Sequence, residues 1–138
     1  MVLLFDQFHL PEDIFQIVFA TEQQVIVGRM LLDEFKEQGG VLGKTEMSVF
    51  ANRLHDGTTA EITEFVGPVK HKKKINISYN KRQFYDRILT PMKSMGMIDY
   101  DMYKKKYIIS DKFNNSLKKI GLMWLHEIKS VSPGSSVV

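Results

Sequence analysis

The sequence predicts a mainly α domain with one small antiparallel β-hairpin, an α+β fold. Three observations predict it. Apolar residues recur at helical spacing in four separate segments. Glycine, proline and Asp-Gly signals punctuate the gaps between them. One pair of short alternating runs, Met97–Tyr100 and Lys106–Ile109, has the period of strands, with residues 101–105 as its tip.

Residues 1–20 read as an apolar arm. Pro11 followed by Glu12 and Asp13 looks like a helix start, and Ile14, Phe15, Val18 and Phe19 give it an apolar face. The first long helix is expected over residues 21–38, burying Val25, Ile26, Met30, Leu31 and Phe35 and stopped by Gly39-Gly40. A second is expected over 46–55, capped by Thr45. After the Asp56-Gly57 turn, Thr58 and Glu61 fit a capping box, which predicts a small helix through Val66, broken by Gly67-Pro68. The run Lys70–Lys74 reads as a basic loop or a second wing, followed by a short strand over 75–78.

The third main helix is expected over 80–95, with Phe84, Tyr85, Ile88, Leu89, Met92 and Met95 inward and a kink or early end at Pro91. Gly96 stops it. The last helix, 111–129, is expected to be capped by Asp111 and to bury Phe113, Leu117, Ile120, Trp124 and Ile128. Leu122 and Leu125 broaden that face beyond one stripe. Residues 130–138 read as a disordered tail, and 21–129 as the domain proper.

Composition bounds the function. A chain of 138 residues, 43% hydrophobic and 25% charged, can bury a core as one domain. Cysteine is absent, which excludes disulfides and thiolate metal sites. No apolar run is long enough to span a membrane, and the start lacks the basic region of a signal peptide; a cytoplasmic, nucleoid-associated protein is expected. The net charge of +3 conceals a split. Residues 1–69 carry four Lys/Arg against eleven Asp/Glu, and residues 70–119 carry fourteen Lys/Arg against four Asp. A net of −7 beside a net of +10 is the pattern of a chain with one face for a polyanion.

The basic part coincides with the third helix and the hairpin. Asn80, Arg82, Gln83 and Arg87 are the side chains with the donor and acceptor geometry to read bases. Lys72, Lys73, Lys74, Lys81, Lys93, Tyr103, Lys104, Lys105 and Lys106 are the candidates for backbone phosphates. A surface helix and a lysine-guarded edge hairpin would have similar composition, but two adjacent basic elements favour DNA.

Residues 46–55 and 59–66 offer a rival helix-turn-helix; Glu61 and Glu64, with no Lys or Arg, would make its second helix repel phosphate. Residues 39–45, GGVLGKT, nearly spell a phosphate-binding loop, but Gln38 stands where the motif needs glycine and a helix precedes it. The four histidines lack metal-ligand spacing and no nucleophile–base pattern stands out, so no metal, cofactor or enzymatic activity is expected.

In the order Phe84, Ile88-Leu89, Met92, Met95-Gly96-Met97-Ile98, a hairpin, then Tyr107-Ile108-Ile109-Ser110 opening a helix, the chain resembles the winged helix-turn-helix superfamily over residues 21–129. The resemblance implies a recognition helix at 80–95, a wing at 97–109, double-stranded DNA as partner and a role in transcription regulation. About two dozen residues between the second and third helices depart from that pattern. A homodimer is expected, its interface built from Phe15, Phe19, Leu117, Trp124, Leu125 and Ile128. The alternative is a winged helix that docks protein within nucleic-acid machinery.

Overall fold

The amino-terminal arm lies against the first long helix because Gly28 leaves room for two aromatic rings. In the computed structural model, which describes residues 5–131, α1 (Ile14–Val18) is followed by α2 (Glu22–Glu37). Residues 1–4 of the expected arm and 132–138 of the expected tail lie outside the described residues. The cap of α1 falls on Asp13 rather than the Pro11 turn; its Oδ1 accepts from the Phe15 N–H at 2.9 Å. Phe15 and Phe19 stack with ring centroids 6.2 Å apart. A Cβ on Gly28 would sit 2.9 Å from Phe15 Cδ1 and 3.0 Å from Phe19 Cε2. The Arg29 guanidinium lies 5.1 Å above the Phe15 ring and pairs with Asp13 at 2.9 Å, closing the arm onto α2.

Thr21 and Gln24 form a reciprocal capping box at the start of α2. Gly40, at φ +87°, donates back to the Phe35 carbonyl at 2.7 Å and ends it. The near-phosphate-loop stretch then becomes a strand, β1 (Val41–Gly43), which the sequence reading does not anticipate. Helix α3 (Lys44–Asp56) follows directly, so Thr45 lies inside the helix and the cap position is Gly43, with no side-chain bond.

The expected small helix over 59–66 is instead a strand. β2 (Thr58–Val66) pairs antiparallel with β3 (Val69–Ile77) from Thr58↔Ile77 to Val66↔Val69. Thr58, Thr59, Ile62, Thr63, Phe65 and Val66 are β-branched or aromatic, and that preference outweighs a capping-box match with no helical face behind it. The basic run at 70–74, expected as a loop, is part of β3. Gly67, at φ +62°, and Pro68 form the two-residue connection.

Residues 81–94 run as one helical rod in three parts: α4 (Lys81–Phe84), a π-helical turn (Tyr85–Leu89) and α5 (Thr90–Ser94). Pro91 does not end it. The turn before the proline widens, which relieves the clash of its ring with the carbonyl four residues back. The Thr90 N–H reaches Tyr85 O across that turn.

Gly96, at φ +85°, leads to β4 (Ile98–Asp101) and β5 (Lys106–Ile109). These join β1 in a three-stranded antiparallel sheet, order β1-β5-β4. Helix α6 (Lys112–Lys129) closes the described chain. Its cap position is Asp111, but the side-chain bond comes from Ser110, whose Oγ accepts the Lys112 N–H at 3.2 Å.

One core joins these elements. Val27, Leu31 and Phe35 from α2 meet Met47, Phe50 and Leu54 from α3, and Phe84, Ile88 and Met92 from the third rod. Leu42 and Ile98 come from the sheet. No polar side chain is buried among the described residues. Burying an aromatic or aliphatic side chain contributes about 1.5–3 kcal/mol, so this cluster is what fixes the rod.

Candidate nucleic-acid interface

The third rod is held by its apolar side, which determines what it presents outward. Phe84 is fully buried, 5.4 Å from the Phe50 ring and 5.4 Å from Tyr85. The Tyr79 N–H donates to Leu54 O at 2.8 Å, and the Lys81 N–H donates to His55 Nδ1 at 3.2 Å, tying the start of the rod to the end of α3. Arg82, Asp86, Arg87, Thr90 and Lys93 are then exposed, with Gln83 half-buried.

Ion pairs among the described residues join Asp6 to His9, Asp13 to Arg29, Glu34 to Arg53 and Asp99 to Lys112. Neither Arg82 nor Arg87 is among them, so both guanidinium forks keep their donors.

The β4–β5 hairpin stands after the rod. Asp101 Oδ1 accepts from the Tyr103 and Lys104 N–H groups at 2.9 and 3.1 Å, forming an Asx turn at the tip. Lys105 completes the reversal at φ +53°. Lys104, Lys105 and Lys106 are exposed, and Tyr103 is 99% exposed. Lys93 joins rod to hairpin: its Nζ lies 5.5 and 5.8 Å from the Tyr100 and Tyr107 ring centroids, and those rings are 4.6 Å apart. Burial pushes the Tyr107 phenol above its ordinary value, with the Tyr85 and Tyr100 phenols adding to it. Burial raises Tyr79 too, partly offset by Arg87.

The sequence-predicted residues divide. Arg82, Arg87, Lys93 and Lys104–Lys106 share the rod and its adjoining hairpin. Lys72, Lys73 and Lys74 lie exposed on β3. Asn80 is corrected: its Oδ1 accepts from the Arg82 and Gln83 N–H groups at 2.8 and 3.3 Å, so the side chain caps the helix instead of presenting an acceptor to a base. Lys81 is half-buried, its ammonium donating to Ser48 Oγ at 3.4 Å.

Phe15 and Phe19, assigned to a subunit interface, are instead 1% and 4% exposed within their own chain. Of the other interface residues, Trp124 is 67% exposed, while Leu117, Leu125 and Ile128 are half-buried. Lys70, first of the basic run expected over 70–74, shares the face of β3 that carries Lys72 and Lys74.

The acidic half is gathered elsewhere. Asp13, Glu22, Asp33, Glu34, Glu37 and Glu61 line a groove of roughly 670 Å³ among α1, α2, α3 and β2. Residues 39–45 are used by the sheet: the Ile109 N–H donates to Gly40 O at 3.0 Å, and the Lys44 N–H to Lys105 O at 3.1 Å. The described residues contain no cluster of three metal-ligating side chains, and no described helix is long and apolar enough to cross a membrane. Comparison with family models, curated proteins and solved structures finds no match.

Proposed function

We propose that the chain is a winged-helix domain that binds double-stranded DNA sequence-specifically, as a homodimer, and regulates transcription. The observation that carries this reading is the pair of exposed guanidinium groups, Arg82 and Arg87, on a rod locked by Phe84, Ile88 and Met92 beside a lysine-tipped hairpin. The element order supports it once the β2–β3 ribbon is set aside as an insertion between α3 and the rod: helix, strand, helix, rod and hairpin, with β1 on the outer side of the hairpin's second strand. In this reading residues 81–94 enter the major groove, Arg82, Gln83 and Arg87 reading base edges. Lys93 and the 101–106 tip hold flanking phosphates.

The dimer uses α6. Phe113 is the one buried residue of its 18, while Ile120, Leu122, Met123 and Trp124 are 50–67% exposed. An apolar surface of that kind asks for a partner chain. Two subunits would read half-sites about one helical turn, roughly 34 Å, apart. A gel shift on duplex DNA tests the reading; absence of any affinity at low salt would sink it.

A second reading, protein docking within nucleic-acid machinery, is favoured by the same face of α6 and by a groove of roughly 810 Å³ between it, α1 and the sheet. Replacing Arg82 and Arg87 by alanine separates the two. A docking module keeps its partner, whereas a DNA reader loses its preferred sequences.

A further inference from the structure

The β2–β3 ribbon occupies the place where a helix-turn-helix has only a turn, between α3 and the third rod. Its base is fixed. Ala60, Ile77 and Tyr79 are buried, Ile75 packs against the core, and the Ser78 hydroxyl donates to His55 O at 3.4 Å. Thr58–Thr63 still line the groove against α1, α2 and α3, whereas residues 67–74 are all exposed, so it is the outer part of the ribbon that leaves the body of the domain. Nine residues per strand, at about 3.3 Å each, give it a length of roughly 26 Å.

Its charge is not that of a guarded edge. Each strand of a two-stranded ribbon is an edge, yet all four lysines lie on β3, and β2 has none. Lys70, Lys72 and Lys73 are registered opposite Phe65, Thr63 and Ile62, with no acid facing them; only Lys74 faces one, Glu61. Alternation puts Lys70, Lys72 and Lys74 on one face of the ribbon, one every ~6.8 Å. Phosphates recur every ~3.4 Å along each strand of a duplex, so such a row can follow them. Lys70 and Lys72 thus have no acid directly opposite, and fold stability gives no reason for them on this face.

The ribbon's placement supplies the direction. Three residues separate the end of β3 from the start of α4. The amino-terminal end of a recognition helix is the end that meets base edges. We infer that the β2–β3 ribbon is a second DNA-binding element, an arm that runs along the duplex and sets Lys70, Lys72 and Lys74 on phosphates outside the reach of the rod and the β4–β5 tip. This rests on the DNA-binding reading above. From Ala60 to the tip is six steps, about 20 Å, or a little over half of a ~34 Å helical turn, so the arm lengthens the site to one side of each rod.

The test uses the full chain and mixed-sequence duplex DNA of about two helical turns, with the salt dependence of affinity as readout. The arm variant K70A/K72A/K74A is compared with K118A/K119A/K129A, which removes the same charge from exposed positions of α6 and is first checked by sedimentation to self-associate as the wild type does. The arm variant is expected to make the log–log salt slope shallower by about 2.7 per bound subunit, at 0.9 per lost phosphate contact. The α6 variant should keep the wild-type slope. On a duplex of about one turn, too short for rod and arm together, the difference should shrink. Equal slopes for the two variants, or an unchanged slope in the arm variant, would overturn the arm while leaving the rod's role standing. No duplex affinity in the wild type would overturn both.

Discussion

Gly96 is where the third rod, the β4–β5 hairpin and α6 meet, and replacing it by alanine tests the packing of that junction. Two costs add. At φ +85° an L side chain is forced into the left-handed region, which costs about 1–2 kcal/mol. The new Cβ would also lie 2.9 Å from the Phe113 nitrogen and 3.0 Å from the Lys112 carbonyl carbon, both backbone atoms. The first turn of α6 cannot yield without stretching the 3.0 Å bond from the Phe113 N–H to Gly96 O. Overpacking of this kind costs about 1–3 kcal/mol.

The sum is about 2–5 kcal/mol, a large part of the roughly 5–15 kcal/mol that holds a domain together. It should lower the melting temperature by about 8–20 °C. Gly39→Ala is the control. Its φ is +72°, but no atom lies within 4 Å of the added methyl, so only the conformational cost of about 1–2 kcal/mol applies. Urea unfolding followed by circular dichroism measures both. If the two variants agree within about 0.5 kcal/mol, the resolution of such comparisons, the clash reasoning is wrong.

Three further outcomes follow from the same geometry. Asn80→Ala should cost about 1 kcal/mol through loss of the helix cap and leave the selected base sequence unchanged; an altered sequence preference would return Asn80 to base reading. Trp124→Ala should weaken self-association by at least about 30-fold, as removing a buried aromatic anchor of about 2 kcal/mol does, without lowering monomer stability. Sedimentation across a dilution series measures this, and a monomeric wild type would refute the dimer.

Tyr79, Tyr85 and Tyr107 are all held above the ordinary phenol range, chiefly by burial. A raised folded-state value means their contribution to stability is fully present below about pH 10 and is lost as pH climbs through the folded values. Urea midpoints should therefore be flat with respect to these groups up to about pH 10 and fall above it. Midpoints that rise there would contradict their burial.

The helical parts of the fold were legible because long amphipathic periods carry strong signals. The expected bounds of α2 lie within one residue of the observed ones, and those of α3 within two. The hairpin was legible from its alternation. β1 was not, because three residues carry too little periodicity and their pairing depends on β5, more than sixty positions later.

Residues 58–66 misled for a different reason. Thr58 and Glu61 make a sound local helix start, but the strand is decided by its cross-strand partner, which local pattern does not reveal. Pro91 signalled trouble in the right place, and the chain answered with a π turn. Arg82 and Arg87 could be read from helical phase. Asn80 could not, since a base-reading amide and a capping amide look alike until the helix boundary is known.

The central claim is that a positively charged, rigidly held rod with its flanking hairpins grips duplex DNA. The most direct measurement is fluorescence anisotropy of the purified chain on labelled duplex, titrated with salt. The account predicts binding at low salt with a log–log slope near −5 per bound subunit, as about six neutralised phosphates in each would give, and loss of sequence preference in R82A/R87A. No detectable affinity at low salt, or affinity indifferent to salt, would contradict it.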